Sequence, residues 1–383
     1  MLEIFMDFSF QVEHVMSSHG FVFHHGTVTE GTLKCEQVQM SVNEAHRLAC
    51  ARNHTATHLL NAALRKILPY TMQRSSYVGP EHLRLGFSAR RILSTEQVKE
   101  IESFVKSCIE QKLKVKRLEM PFDALLDNPK AVVLRGEEYP EIVSVIAVEC
   151  NRTDGELISL EPCCGTHVHN TADLLDFTVI PSKSFGGATK SLSAVTGMQV
   201  SIVRRNSEFL EKEIFQLKTE VDETLQKINV PLDAISAHLK KVKSLTKECH
   251  LSNDAPLLKL EEYKDILGEM KLKLNDVINS LSKTDANSVC SISDVPVSPS
   301  FRTSEEVLNF FHANNTSPTD DEYKYKFNKE GVIPITAGIC AVIENDKITD
   351  SVECGLRCQL VLDKTNFYAE GDDQTGDEGV ISC

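Results

Sequence analysis

Two histidines, His54 and His58, stand four residues apart in the run RNHTATHLL (52–60). On a helix that spacing puts both imidazoles on one face, close enough to share an ion. The residues between them are Thr55, Ala56 and Thr57, so the glutamate that follows the first histidine of a zinc-protease helix is missing. Far downstream, EPCCGTHVH (161–169) sets Cys163 four residues before His167. Gly165 lies between them and lets the backbone turn so that both side chains converge. Three imidazoles and one thiolate form a borderline-soft donor set that suits Zn2+. Four protein donors describe a closed, structural site, whereas a catalytic zinc usually keeps one position open; spacing leaves both readings standing. Cys164 competes for the place of Cys163 as a ligand. Cys163 paired with His167 as base is also an arrangement for a thiol nucleophile.

The elements that must position these groups can be read from periodicity. Residues 44–68 carry a helical pattern that Pro69 ends, and ELISLEPCCGTH reads as a strand running into a tight turn at Gly165. Between them HLRLGFSA suggests a strand, and Ser94 caps a helix over about 95–113. KVKRLEM, AVVLRG, IVSVIAVE and DLLDFTVIPS are further strand candidates. The stretch 44–202 is therefore expected to be an α+β domain with a mostly antiparallel sheet. Before it, 1–43 alternates like barrel strands, with a turn at Glu30-Gly31. After it, Leu210, Ile214, Leu217, Val221 and Ile228 repeat at three- and four-residue steps, with Thr224 as the polar exception. That pattern predicts a helix broken at Pro231 and two more helical segments, about 233–248 and 257–282, which together read as an antiparallel helical hairpin, bundle or coiled-coil arm over 203–283. Residues 284–300 are rich in Ser, Pro and Asp and read as a linker. Residues 301–383 return to strand patterning in YKYKF, AGICAVI and CQLVLDKTNFYA.

A formal charge of −14 argues against wholesale nucleic-acid binding, but the charge is uneven. Residues 46–117 hold 14 Lys and Arg against 5 Asp and Glu, a local +9, while 350–383 hold 8 acids and 2 bases. A basic stretch beside a metal site suits a phosphate backbone, and a solvated helix face is the plainer explanation. Twelve cysteines without an export signal point to reduced thiols. No apolar run approaches the roughly 20 residues that span a bilayer, so no membrane partner is expected. The opening MLEIFMDFSF has no Lys or Arg, and no targeting segment is read there.

NHTATHLL, CCGTHV, SAVTG and VLDKTNFYAE together closely resemble the editing domain of alanyl-tRNA synthetase and its free-standing alanyl-tRNA editing relatives. The doubled cysteine resembles the animal mitochondrial branch, and the likeness covers roughly 7–200 and 301–383. The resemblance implies a zinc-dependent aminoacyl-tRNA deacylase that removes serine or glycine wrongly attached to the alanine tRNA. It implies His54, His58, Cys163 and His167 as metal ligands and sets Gln73 near the substrate ester. Gln73 and Thr55 are the expected catalytic residues; Thr57, Thr166 and Arg74 are the expected substrate-binding residues. The partner is mischarged tRNA(Ala), with homodimerisation through the helical arm, in cytoplasm or mitochondria. No aminoacylation is expected, because none of the class II catalytic motifs is found. The alternative is an inactive, zinc-stapled tRNA-binding or dimerisation module.

The chain departs from the family in three places. Ser75 stands where the family has glycine in the QRSS stretch, and Asp372 and Asp373 replace a glycine pair in FYAEGDDQ. The order of the pieces is permuted: in the family, the counterpart of 301–383 precedes that of 7–200. A genuine permutation requires 321–383 to pack beside 7–42; a misassembled gene would give the same order.

Overall fold

The computed structural model describes residues 8–34, 37–134, 136–150, 157–182, 189–226, 231–281, 305–328, 331–345, 347–371 and 373–382. The expected linker at 284–300, Ile228 and Asp372 fall outside them. Strands β1 (Phe8–Ser18), β2 (Phe21–Lys34) and β3 (Gln37–Val42) open the chain, followed by α1 (Glu44–Ile67). The middle holds β4 (Gln73–Val78), β5 (Leu83–Ser88), α2 (Thr95–Glu110), β6 (Lys114–Pro121), α3 (Phe122–Leu126), β7 (Ile142–Glu149), β8 (Leu157–Pro162), β9 (Phe177–Ile180) and β10 (Thr189–Thr196). Helices α4 (Met198–Leu225), α5 (Leu232–Leu251) and α6 (Leu257–Leu281) follow. Beyond α7 (Glu305–Ala313) come β11 (Phe327–Asn328), β12 (Gly331–Val332), β13 (Ile335–Glu344), β14 (Lys347–Thr349), β15 (Ser351–Glu353), β16 (Arg357–Leu362) and β17 (Gly379–Ser382).

Both ends of the chain build one closed antiparallel barrel in the order β1-β17-β3-β13-β16-β2, and β2 pairs back onto β1. The packing of 321–383 beside 7–42 is thus present: Ile381 lies opposite Phe10 and also opposite Met40. Period-2 alternation drives Phe8, Phe10, Val12, Val38, Met40, Leu360 and Ile381 into the barrel interior. A closed barrel leaves no unpaired edge among its six strands. A four-stranded sheet, β4-β5-β10-β9, and a three-stranded sheet, β6-β7-β8, flank the two central helices. Leu59, Leu60, Leu64, Val98, Ile101 and Val105 of those helices share one core with Leu83, Leu85, Phe177 and Ala194.

Local chemistry agrees with many of the sequence expectations and corrects others. Asn43 caps α1 by accepting from the His46 N–H at 3.2 Å, and Ser94 and Gln97 form a reciprocal capping box on α2. The turn expected at Glu30-Gly31 is not there. Gly31, at φ +68°, instead marks where β2 leaves β1 and takes β15 as its neighbour. The β1–β2 turn lies at His19-Gly20, both with positive φ. AVVLRG is not a strand, because its one ladder-like bond, Val132 N to Leu160 O at 2.9 Å, leaves Val132 and Leu134 to cover a cavity. YKYKF begins as a 3-10 turn at Glu322–Tyr325 rather than a strand. The helical arm is three-stranded: α4, α5 and α6 bury one seam from Leu210 to Leu274. Thr224 fits that seam because its hydroxyl is satisfied by the Glu220 carbonyl. No helix among the described residues is long and apolar enough to cross a membrane.

Helix α1 is bolted to the barrel by a buried ion pair. Arg47 Nε lies 2.9 Å from both carboxylate oxygens of Asp377, and its other nitrogens donate to the Asn366 and Lys324 carbonyls. Removing one partner of such a pair costs about 3–5 kcal/mol. A second buried group, His24 on β2, donates from Nδ1 to the Leu360 carbonyl and accepts at Nε2 from the Thr365 hydroxyl. Burial lowers its pKa to about 4; the Leu360 bond opposes this, and His25 adds to it. Above its ordinary 6.5, His24 is neutral folded or unfolded. As pH falls from 6.5 toward 4, only the unfolded chain gains the proton, so stability is lost across that window. The expected loss from this group is about 3 kcal/mol. Urea unfolding at pH 7 and pH 4.5 should show it, and His24→Gln should remove that share of the difference.

Candidate metal centre

His54 and His58 project from the buried face of α1 with their rings 5.4 Å apart and nearly parallel. Cys163 and His167 come from the turn that follows β8. The four donor atoms lie within 4.8 Å of one another, and all four residues are buried. Cys163 Sγ is 3.4 Å from His54 Nε2 and 3.3 Å from His167 Nε2. Cys164 is exposed and is not among the four converging donors; its carbonyl instead accepts from the Tyr325 hydroxyl at 2.8 Å.

Gly165 is needed here for space, not for a left-handed turn. A Cβ at that position would lie 2.0 Å from His54 Cε1 and 2.9 Å from Gln374 Oε1. The backbone of the turn therefore presses directly onto the first imidazole.

The outward nitrogens decide which way each ring points. His54 Nδ1 faces Gln374 Oε1 at 2.8 Å, an oxygen that can only accept. His167 Nδ1 faces Thr55 Oγ1 at 3.1 Å, and that hydroxyl already donates to the Ala51 carbonyl. His58 Nδ1 is in ion-pair contact with Glu161 Oε2 at 3.0 Å. By this network each ring carries hydrogen on Nδ1, leaving Nε2 for the centre of the cluster. Both ring nitrogens of His58 are buried and neither meets hydrogen-bond geometry, so Glu161 engages Nδ1 as an ion pair. Imidazoles pinned through their far nitrogen by a carboxylate, an amide and a hydroxyl are what metal ligation requires. These residues fit a metal ion, and the donor set could hold one.

Electrostatics point the same way. Burial pushes the Cys163 thiol up, but His54 and His167 outweigh it and hold the group well below the usual thiol range. Burial and the neighbouring His54 lower His167 to about 3. Burial also opposes a charge on His58, yet Glu161 overrides it and lifts His58 to about 10. Glu161 is held low against its own burial by His58, Ser159 and Asn61.

A cavity of about 110 Å3 opens on the cluster, lined by His54, Thr57, His58, Cys163, Gln73 and Asp373 among others. Gln73 and Thr57 thus reach the cavity. Thr55 and Thr166 do not line it: Thr55 holds His167 and the Val168 N–H, while Thr166 binds the side chain of Gln374. Arg74 is exposed beside it. Two residues that sequence reasoning missed complete the support. Glu161, the one acid in strand β8, carried a legible signal; Gln374, more than two hundred residues from Cys163, carried none by spacing.

A barrel joined to a helix-and-sheet unit, with a buried His3Cys cluster opening on a small cavity, defines an α+β protein built around a candidate metal centre. The family described as tRNA synthetases class II (A) matches residues 190–383, and the chain belongs to it. It is similar to alanine–tRNA ligase of Dehalococcoides mccartyi, 30% identical over 262 residues that cover 67% of this chain and 29% of the relative. It is 34% identical to the mitochondrial alanine–tRNA ligases of Saccharomyces cerevisiae and Homo sapiens. Those matches cover 52% and 54% of this chain, and 21% and 22% of the relatives. The chain thus spans less than a third of the length of these relatives.

Because Glu161 orients His58, Glu161→Gln should weaken metal affinity by about 10–100-fold while leaving all four donors in place. Competitive titration of metal-depleted protein with Zn2+ against a chromophoric chelator measures this. Affinity should also rise with pH, since a metal must displace the His58 proton. A pH-independent affinity would contradict the network.

Proposed function

We propose that this chain is an aminoacyl-tRNA editing hydrolase that cleaves the ester of serine or glycine mischarged onto tRNA(Ala), with Zn2+ held by His54, His58, Cys163 and His167. The observation that carries this reading is the small cavity with the cluster as its floor. A water needs roughly 10–15 Å3 of such space. The cavity therefore takes on the order of eight water-sized groups, the scale of a small aminoacyl group and not of a large side chain. The similarity to alanine–tRNA ligases supports tRNA as the partner. Ester hydrolysis requires a positioned water and a polarised carbonyl, which a bound zinc supplies.

The chain's own groups do the rest. Thr57 spends its hydroxyl proton on the Asn53 carbonyl at 2.9 Å, so its lone pairs can accept from a substrate hydroxyl. That is the means by which a site prefers serine over alanine, since size alone cannot exclude the smaller group. Gln73 lines the cavity and donates to Ser76 Oγ at 3.3 Å, which holds its amide beside the ester. Val132 and Leu134 line the cavity and give it apolar walls.

The single-stranded end of the tRNA would pass over an arginine-bearing groove. Arg90 and Arg91 line a groove of about 970 Å3 together with Tyr70 and Ile92, which are 97% and 77% exposed. Arginines with an exposed ring suit single-stranded RNA, which is bound by charge and stacking. The competing reading, a metal that only staples an RNA-binding module, follows from four protein donors leaving no open position.

Purified protein should hydrolyse seryl-tRNA(Ala), and Cys163→Ala with His167→Ala should abolish this. Thr57→Val should lower the rate on seryl-tRNA(Ala) by about 10-fold or more while sparing glycyl-tRNA(Ala). Salt-sensitive tRNA binding with bound zinc and no hydrolysis would favour the staple.

A further inference from the structure

The cavity has an acidic mouth that the metal cluster does not explain. Asp373 and Glu137 both line it. Among the described residues neither has a lysine, arginine or histidine within ion-pairing distance. Asp373 is held in place with unusual firmness for an exposed side chain. Its backbone sits at φ +61°, a region that side chains other than Gly, Asn and Asp rarely adopt. Its carbonyl accepts from the Val78 N–H at 2.7 Å, which ties the loop to β4. Its Oδ2 accepts from the Ser76 N–H at 3.1 Å and from the Ser76 hydroxyl. Ser76 in turn accepts from Gln73, so a chain of polar groups runs along the rim from Gln73 to Asp373.

We infer that Asp373 is a specificity-determining residue whose carboxylate receives the protonated α-amino group of an aminoacyl ester. The inference rests on the deacylase reading above. The α-ammonium of such an ester is separated from the carbonyl carbon by one carbon atom. A carbonyl directed to the cluster therefore leaves the ammonium within the same small cavity, among the groups of its rim. An ordered, unpaired carboxylate there complements that charge and leaves an N-blocked ester unmatched. The carboxylate is turned onto Ser76 at the cavity, and in the proposed function the holding of phosphates falls to the arginine groove.

The test uses a stable amide probe, 3′-seryl-amino-3′-deoxyadenosine, and its N-acetyl derivative. Binding to the metal-loaded and metal-depleted full chain is measured by calorimetry at pH 6.5, below the ordinary α-amino range of about 7.7–8.0. The native protein should prefer the free amine by at least 10-fold, falling to within about 3-fold in Asp373→Asn. Asparagine keeps an acceptor for Ser76 and tolerates the left-handed backbone. Asp373→Gly, which relieves that backbone altogether, should lose the preference equally. Equal affinity for both probes in the native protein, or a preference that survives in both variants, would overturn the inference and leave the deacylase reading intact. If neither probe binds, the same ratios are read from hydrolysis of seryl-tRNA(Ala) and N-acetyl-seryl-tRNA(Ala). Absence of both binding and hydrolysis would overturn the deacylase reading, and the inference with it.

Discussion

Three imidazoles and a thiolate can be buried around one point only if every outward nitrogen is engaged, and much of this fold is arranged to do that. Gln374 is the centre of that arrangement. Its side-chain oxygen accepts from His54 Nδ1 and from the Thr166 N–H, and its amide donates to Thr166 Oγ1 at 2.9 Å. One amide thereby locks the helix ligand to the turn ligands, and it is delivered by the barrel. Were the barrel to move away, His54 and Thr166 would each lose a buried partner, at about 1–3 kcal/mol for each unsatisfied group. The barrel is accordingly part of the site's supporting shell.

This explains why α1 meets the barrel through buried polar contacts where apolar packing would serve stability alone. Arg47 and Asp377 are 4% and 1% exposed. An ion pair so deep adds little net stability over a well-packed apolar pair, because both charges must be desolvated. Its use lies in direction. The guanidinium fork accepts one register of the loop carrying Asp377, and Gln374 stands three residues upstream. The parallel bridge between Val78 and Gln374, with the Thr375 N–H on the Val78 carbonyl at 2.9 Å, fixes the same loop from β4. Two independent anchors on one short segment hold the Gln374 amide over His54.

The parts of this architecture that were legible in the sequence are those encoded locally. A four-residue histidine spacing inside an apolar helix pattern, a cysteine and histidine about a glycine, and the alternation of Phe8, Phe10 and Val12 each involve neighbours along the chain. The cap at Ser94 is of the same kind. What could not be read depends on distant segments meeting. Nothing near Gln374 indicates that it faces His54, and Glu161 gains its meaning only once His58 is opposite. AVVLRG has strand-like composition, yet β8 offers it one backbone bond and the cavity needs its side chains as a cover. Tertiary demand overrode propensity there. Gly165 was recognised for a sound reason that was not the operative one: a near contact with an imidazole, not a dihedral angle, excludes a side chain.

Charge also makes sense at the level of the whole molecule. The total of −14 would repel a polyanion from most of the surface, so the proposed association with RNA would depend on confining the positive charge. The stretch 46–117 carries +9 by sequence, but Arg47 and Lys116 are paired with Asp377 and Glu149, so the exposed arginines carry the local field, which at 0.15 M salt reaches about 8 Å. Within that range the exposed Arg74, Arg90 and Arg91 act locally, while the acids of the barrel tail do not cancel them by long-range attraction. The acidic remainder has a positive role as well. On the proposed reading, a chain whose net charge repels nucleic acid would bind it only where exposed arginines are presented, which disfavours indiscriminate coating of the surface.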